Sequence, residues 1–297
     1  MIKRTLYFGN PCYLFKRKDQ LVVSLENDVE KTVPVEDVGM VILDHYQIKI
    51  TQPALQVLTA NNAAVLVNDA SHLPLGLLLP MASHNTYTQK LYFQVNASKP
   101  LKKNLWQQTI KQKIRNQATL LRQQGIDTKN MEYWASQVKS GDPDNYEGRA
   151  AAYYWQKLFD GTFKRGRFGA PPNNLLNYGY AILRAIVARS LVASGMLPAL
   201  GIHHRNKYDA YCLADDIMEP YRPYVDRIVL NITDKETFSG ELTTEIKREL
   251  LQIPVTDITI NGNSGPLMAG MQLTTASLMR CFEGEGRKIA YPEFNSP

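Results

Sequence analysis

The sequence predicts an α+β protein in which a small domain rich in β-strands precedes a larger all-α domain that carries the functional site. Residues 2–79 contain short runs of β-branched and aromatic residues separated by turn residues, which is typical of strands. Residues 91–125 contain almost no Gly or Pro and carry apolar residues at helical intervals. Between these segments, LPLGLLLPMASHNTYT at 73–88 has the Pro and Gly spacing and the polar turn residues of a linker.

We therefore place the domain boundaries where the residue pattern changes from strand-like to helical. The predicted units are a β-rich domain over 1–79, a linker over 80–90, an α-helical catalytic domain over 91–285 and a weakly ordered tail over 286–297. A chain of 297 residues with 44% hydrophobic and 21% charged residues can bury a sizeable core. A net charge of +6 and a pI near 9.0 favour a polyanionic partner.

Cysteine usage and the N-terminus indicate a cytoplasmic protein without a membrane span. Cys12, Cys212 and Cys281 lie far apart and outside any CxxC pattern, which argues against a disulfide framework and a structural zinc site. The opening MIKRTLYFGN lacks the apolar core of a signal peptide.

The N-terminal segment predicts five strand-forming runs and one helix. The runs are TLYFGNP, CYLFKRKDQLVVSLE, KTVPVEDVGMVILD, QIKIT and AAVLVND. The helix is expected over 52–60, where Pro53 stands near its start and Leu55 and Leu58 are three residues apart.

The segment from Leu91 to Gly125 predicts a cationic helical region. It contains no acidic residue from Leu91 through Ile126, so its cations are not neutralised locally and would attract phosphates. The plainer interpretation is a solvated helix face. The candidate phosphate contacts in this region are Lys102, Lys103, Lys111, Lys113 and Arg115.

Further helices and one basic loop follow. DPDN at 142–145 predicts a turn before a helix that contains Glu147, and 173–195 predicts a core helix. The loop FKRGRFG at 163–169 carries Lys164, Arg165 and Arg167 between aromatic residues and suits phosphate contact, although a mobile surface loop is an equal alternative. Later helices are expected over 213–230, where Pro220 and Pro223 would kink the helix, and over 241–251 and 267–281, with a loop over 256–265.

The stretch LGIHHRNKYDAYCLADDIMEPYRP at 200–223 is the candidate metal site. Ionised carboxylates among apolar residues are costly unless they are paired or bind a metal. Glu219 is three residues from Asp216 and four from Asp215, so on a helix it shares a face with either. Carboxylates and an imidazole without thiols suit Mg²⁺ or Mn²⁺. An acidic surface helix would explain the same residues.

Four segments together resemble a known family. They are YFGNPCYLF, YEGRAAAYYW, APPNNLLNYGYAIL and GIHHRNKYDAYCLADDIMEPYRP. In combination they are similar to the CRISPR-associated integrase family, the first Cas family, which acts as the endonuclease of spacer acquisition. The resemblance runs along essentially the whole chain and is greatest to the version found with type II systems. It implies a small β domain joined to a larger α domain.

The resemblance also implies a site and a reaction. The family's ligands fall on Glu147, on His204 with His203 as its neighbour, and on Glu219, with Asp216 as the second choice. They imply Mg²⁺ or Mn²⁺ and attack of a DNA 3′ hydroxyl on a phosphodiester. The implied partners are double-stranded DNA as prespacer and CRISPR repeat, a second copy of the chain in a homodimer, the second Cas protein bridging two dimers, and the effector nuclease of type II systems.

Two other functions are compatible with the residues. In one, the protein is a DNA-binding scaffold whose carboxylates pair with Arg149, Arg205 or Arg222 and do no chemistry. In the other, it is a metal-dependent hydrolase of a small phosphorylated molecule, for which the long cationic helix would be unnecessary.

Overall fold

The computed structural model describes residues 3–25, 29–70, 72–81, 84–159, 161–166, 168–235 and 238–294. Its first part consists of two sheets and one helix, α1 (Gln52–Ala60). The strands are β1 (Arg4–Phe8), β2 (Tyr13–Arg17), β3 (Gln20–Ser24), β4 (Glu30–Pro34), β5 (Val38–Leu43), β6 (Lys49–Ile50), β7 (Ala64–Asn68) and β8 (Pro74–Leu78). The predicted helix over 52–60 is therefore confirmed, with Thr51 accepting a hydrogen bond from the Ala54 amide at its start.

The order of the strands places a shared sheet between two cores. One sheet has the order β1-β5-β7-β8, in which β8 runs antiparallel, and the other has the order β4-β3-β2-β6. Successive side chains of β5 point to opposite faces. Val41 accordingly packs in the N-terminal core, whereas Met40 and Ile42 pack in the core of the helical part.

The rest of the chain is mainly helical. Its helices are α2 (Tyr87–Asn96), α3 (Lys99–Gln123), α4 (Lys129–Gln137), α5 (Tyr146–Leu158), α6 (Asn173–Ala193), α7 (Cys212–Met218), α8 (Arg222–Thr233), α9 (Thr244–Leu250) and α10 (Leu267–Glu283). The predicted α+β class is confirmed. The helix α6 is long and apolar enough to cross a membrane, but 83% of its most apolar window is buried inside the protein, as in a core helix.

Pro220 and Pro223 interrupt the predicted helix over 213–230, as their chemistry requires. A proline lacks the amide hydrogen that a helix interior uses. The chain forms α7, then a tight single turn over Glu219–Tyr221, and then α8. This turn brings the Glu219 side chain to the interface with α3.

Three sequence predictions need correction. Helix α2 begins at Tyr87, inside the predicted linker. The predicted loop over 256–265 is a hairpin of β9 (Asp257–Ile260) and β10 (Asn263–Pro266), so the second part is not entirely α-helical. Asn261 and Gly262 both have positive φ angles, the condition for a tight hairpin turn that Asn-Gly satisfies.

The tail prediction was wrong for residues 286–294, which pack against the helical core. Ile289, Tyr291 and Phe294 are each 7% exposed. The side-chain amide of Asn116 donates to the Pro292 carbonyl at 3.0 Å and accepts from the Phe294 amide at 3.2 Å. Burial of these three apolar side chains, which the many polar residues of the segment obscured in the sequence, holds this part of the tail.

Candidate functional site

Two glutamates from separate elements meet at one lysine of α3. Glu147 lies in the first turn of α5, and Glu219 lies in the turn between α7 and α8. The Lys113 Nζ is 2.7 Å from Glu147 Oε1 and 2.6 Å from Glu219 Oε2. A single ammonium group therefore bridges both carboxylates, which occupy one small volume although 72 positions separate the residues in the sequence.

Burial makes this bridge electrostatically strong. Lys113 is 7% exposed and Glu219 is 4% exposed. Burial alone would raise the pKa of Glu219, but the charges of Arg222 and Lys113 outweigh it and lower that pKa. Burial likewise opposes a charged Lys113, yet the two glutamates raise its pKa. Glu219 and Lys113 are consequently ionised near neutral pH.

The turn before α5 fixes the direction of Glu147. Asp142 accepts hydrogen bonds from the amides of Tyr146 and Glu147 at 3.0 and 2.9 Å. Asn145, with a φ of 53°, caps the helix by accepting from the Gly148 amide at 3.1 Å. The predicted DPDN turn thus satisfies the free amides of the helix start and leaves the Glu147 side chain pointing at Lys113.

Asp216 organises the histidine loop. Its carboxylate is fully buried and accepts the amides of Ile202 and His203 at 2.7 and 2.9 Å and that of His204 at 3.2 Å. It also bonds the His204 Nδ1 at 2.6 Å. These four bonds occupy both oxygens, so Asp216, the second choice for a metal ligand, is placed as the residue that holds the loop and orients His204.

The two histidines have different surroundings. Because Nδ1 of His204 bonds Asp216, the other ring nitrogen, Nε2, is the one left for a metal ion. The hydrogen bond that Asp216 accepts is the main reason why the pKa of His204 is raised. His203 instead stacks on Trp106, with ring centroids 4.1 Å apart and planes 2° apart, and burial lowers its pKa.

Sequence reasoning missed the roles of Trp106 and Lys113. They lie seven residues apart on α3, a spacing that places both on the same helix face. Lys113, which the sequence predicted as a phosphate contact, is buried and ion-paired to both glutamates. The lack of acidic residues around it in the sequence concealed partners that come from other elements.

Asp215 lies next to the site but faces elsewhere. Its two oxygens pair with Arg184 Nε and Nη2 at 2.7 and 2.6 Å. Glu219 makes a second ion pair, because its Oε1 lies 2.9 Å from Arg222 Nη2. Of the three clustered carboxylates in the sequence, only Glu219 reaches the Lys113 bridge.

The predicted cations of α3 point in several directions. Lys102 is half-buried, and burial together with the charge of Arg205 lowers its pKa. The Lys103 side chain packs beside Gly141. Lys111 and Arg115 line a groove with the tail. One helix thus distributes its charges over more than one surface.

The basic loop after α5 borders a cavity of about 580 Å³ lined by Phe159, Phe163 and Lys164. Arg165 donates to Asn173 Oδ1 and Asn177 Oδ1 at 2.9 and 2.8 Å and lies over the Tyr180 ring. Its guanidinium holds the loop against α6, and its predicted phosphate contact stays a prediction. Arg167 lies outside the described residues.

The donor set of the site suits a hard divalent cation. Glu147 and Glu219 supply carboxylate oxygens and His204 supplies an imidazole, the ligands that Mg²⁺ and Mn²⁺ accept. Across the described ranges, no three His, Cys, Asp or Glu side chains are already gathered at metal-binding distance. The ammonium of Lys113 stands where a cation shared by the two glutamates would be, so the residues fit a metal ion once this ammonium moves.

Comparison with known protein sequences relates most of the chain to one protein family. Residues 6–251 match the family described as CRISPR associated protein Cas1. The chain is 41% identical over 254 residues to the CRISPR-associated endonuclease Cas1 of Neisseria meningitidis serogroup C, an alignment that covers 85% of this chain and 83% of that protein.

Two solved structures have the same fold. A casposase bound to its integration product superposes with a TM-score of 0.80 at 20% identity, over 100% of this chain and 95% of the casposase. A chain of a Cas6-RT-Cas1–Cas2 complex superposes with a TM-score of 0.73 at 20% identity, over 96% of this chain and 35% of that longer chain. At 20% identity, these superpositions support the fold alone. The sequence matches support the family.

Proposed function

The chain belongs to the Cas1 family of CRISPR-associated endonucleases, and on that premise we propose that it inserts captured DNA segments into a CRISPR array. The 3′ hydroxyl of a captured segment attacks a phosphorus atom at the edge of a repeat. One P–O bond forms, the bond to the leaving 3′ oxygen breaks, and the hydroxyl proton is transferred to the leaving oxygen through solvent. The main observation that supports this proposal is that Glu147 and Glu219 both form ion pairs with Lys113.

We assign Glu147, His204 and Glu219 as ligands of Mg²⁺ or Mn²⁺. When bound, the ion neutralises charge on the reacting phosphate and lowers the pKa of the attacking hydroxyl. Asp216 keeps the His204 Nδ1 bonded, which leaves Nε2 as the nitrogen that would hold the ion. Arg222 remains beside Glu219 and limits the excess negative charge.

Lys113 has a separate part in this proposal. With Lys113 and Arg222, the two glutamates form a group of zero net charge. A divalent ion added to this group would leave two uncompensated positive charges in a buried place, which is unfavourable. We therefore propose that the Lys113 ammonium leaves the carboxylates when the metal binds and becomes available to the substrate phosphate.

A Lys113→Gln variant tests this exchange. We expect Mn²⁺ to bind the variant about tenfold more tightly, a change of about 1.4 kcal/mol, because the competing cation is gone. Without metal, we expect lower thermal stability, because the buried Glu219 and the partly exposed Glu147 both lose a partner. Isothermal titration calorimetry and thermal unfolding measure both effects. The matched control is Lys111→Gln on the same helix, and equal Mn²⁺ affinity in wild type and Lys113→Gln would contradict the exchange.

We propose that the DNA backbone near the reacting bond contacts Lys102, Arg205 and Lys164. Arg205 directly follows His204 in the sequence and its charge acts on Lys102, while Lys164 borders the cavity next to α5. Arg and Lys at such positions give mostly sequence-independent contacts. Lys103 lies one residue from Lys102 and is a weaker candidate, because its aliphatic stem packs beside Gly141.

We also propose the partners of the family. These are double-stranded DNA as prespacer and repeat, a second copy in a homodimer, a Cas2 protein bridging two dimers, and the effector nuclease of type II systems. A structural relative solved as a Cas6-RT-Cas1–Cas2 complex supports the Cas2 assignment. Cys12, Cys212 and Cys281 are all free thiols, which supports a reducing cytoplasm.

A DNA-binding scaffold is the second candidate function, and the Glu219–Arg222 ion pair is the observation that favours it. Incubation with a branched DNA substrate, with and without Mn²⁺, separates the two. Joining of strands only with Mn²⁺ supports the integrase, whereas binding without any joined product supports the scaffold.

A further inference from the structure

A groove of about 900 Å³ lies between α3, α10 and the C-terminal tail. Its lining carries five cations and one carboxylate, that of Glu293. The cations are Lys111, Arg115, Arg280, Arg287 and Lys288. In the part of the chain that the structure describes, no carboxylate lies within ion-pair distance of these five. The groove therefore has a strong and locally uncompensated positive charge.

Specific hydrogen bonds hold the cationic tail in this place. The Gln108 side chain donates to the Arg287 carbonyl and accepts from the Ile289 amide, both at 2.9 Å. Ser277 Oγ accepts the Ala290 amide at 2.8 Å, and Thr109 and Tyr291 share a hydrogen bond of 2.8 Å. These bonds place Arg287 and Lys288 beside the cations of α3 and α10, against their mutual repulsion.

The groove lies on the other side of α3 from the glutamate pair. Lys111 and Arg115 are each two residues from Lys113, which corresponds to a rotation of about 200° around an α-helix. A ligand in the groove consequently does not compete for the position of the reacting phosphate. It would instead occupy a second surface, which α3 separates from Glu147 and Glu219.

The lining favours nucleic acid over an acidic protein segment. Ile289 and Tyr291 are buried beneath the groove, so the apolar residues that anchor a protein partner are not offered at its surface. The exposed lining residues include Arg115, Arg280, Arg287, Lys288 and Asn104, and Lys111 and Gln112 are half-buried. Arg, Lys, Asn and Gln side chains are the usual contacts to phosphate oxygens, and they carry no sequence preference.

We propose that this groove binds the phosphodiester backbone of a DNA strand away from the reacting bond. The inference rests on the proposed function, because it assumes that the substrate is DNA long enough to reach both sides of α3. It adds Arg280, Arg287 and Lys288 to the cations that the sequence indicated, and it gives the ordered tail a role in binding.

The test is the salt dependence of DNA binding. For the double variant Arg280→Gln and Arg287→Gln, we expect the slope of log K against log salt to become shallower by about 1.8, since each lost phosphate contact contributes about 0.9. The control replaces two exposed cations elsewhere, Lys16→Gln and Lys129→Gln, and should keep the wild-type slope. Fluorescence anisotropy with a labelled duplex gives the affinities.

An unchanged slope in the groove variant overturns the proposal. An unchanged slope combined with lost binding of polyglutamate also overturns it and assigns the groove to an acidic protein segment. Strand joining is measured separately at saturating DNA. A wild-type protein that binds DNA with the expected slope but joins no strands refutes the proposed reaction while the groove assignment stands.

Discussion

Replacing Glu147 by Gln, or His204 by Ala, is expected to lower metal-dependent strand joining by at least about 10³-fold, which corresponds to about 4 kcal/mol of transition-state stabilisation. Each change removes one of three ligands that would hold the ion against the reacting phosphate. Both side chains are partly exposed, at 25% and 47%, so we expect folding and DNA binding to persist. Joining of a labelled branched DNA in Mn²⁺ provides the measurement.

Glu245→Gln is the matched control for Glu147→Gln. Both glutamates lie in the first turn of a helix, α5 for Glu147 and α9 for Glu245, so both substitutions remove the same favourable charge from a helix start. Only Glu147 contacts Lys113. Full joining by both Glu147→Gln and His204→Ala would refute the ligand assignment, whereas reduced joining by Glu245→Gln would point to a general loss of stability.

Replacing Asp216 by Ala is expected to reduce both stability and joining. Three backbone amides of the histidine loop would lose their acceptor in a buried place, which costs about 2–4 kcal/mol. The His204 imidazole would also lose the bond that orients it. We expect thermal unfolding at a lower temperature and strand joining reduced at least about 100-fold, or about 2.7 kcal/mol.

Asp215→Asn is the control, because Asp215 adjoins Asp216 in sequence but pairs with the partly exposed Arg184. We expect it to lower stability by about 1 kcal/mol or less and to keep joining. A smaller effect of Asp216→Ala than of Asp215→Asn would show that the histidine loop does not depend on Asp216.

An Asp216→Asn variant separates orientation from stability through the titration of His204. The Asp216 hydrogen bond is the first cause of the raised pKa of His204, so the pKa should fall in the variant, as measured by NMR of the imidazole protons. Because the folded-state pKa is raised, this pair stabilises the fold fully below the ordinary histidine pKa, and its contribution is lost as the pH rises through the folded-state value. Asp216→Asn should therefore flatten this dependence, and an unchanged His204 pKa would contradict the orienting role.

The sequence alone was sufficient to predict features that are determined by residues close together in the chain. Helix α1 has the predicted bounds, and Pro220 and Pro223 interrupt their helix as expected, because backbone chemistry near these residues decides both features. The combination of four segments also identified the family. The hairpin of β9 and β10 was locally encoded by Asn261 and Gly262 but was missed because its strands are only four residues long.

Which residues meet was decided by the tertiary structure. The sequence indicated Glu147 and Glu219 through a resemblance, but only the packing of α3 against α5 and against the turn after α7 placed Lys113 between them. The packing also pairs Asp216 with the amides of the histidine loop and Asp215 with Arg184. The i+3 and i+4 spacings in the sequence left these partners open. The physical reason is that local spacing fixes the face of a helix, whereas the partner of a buried charge is selected by the desolvation and ion pairing of elements far apart in the chain.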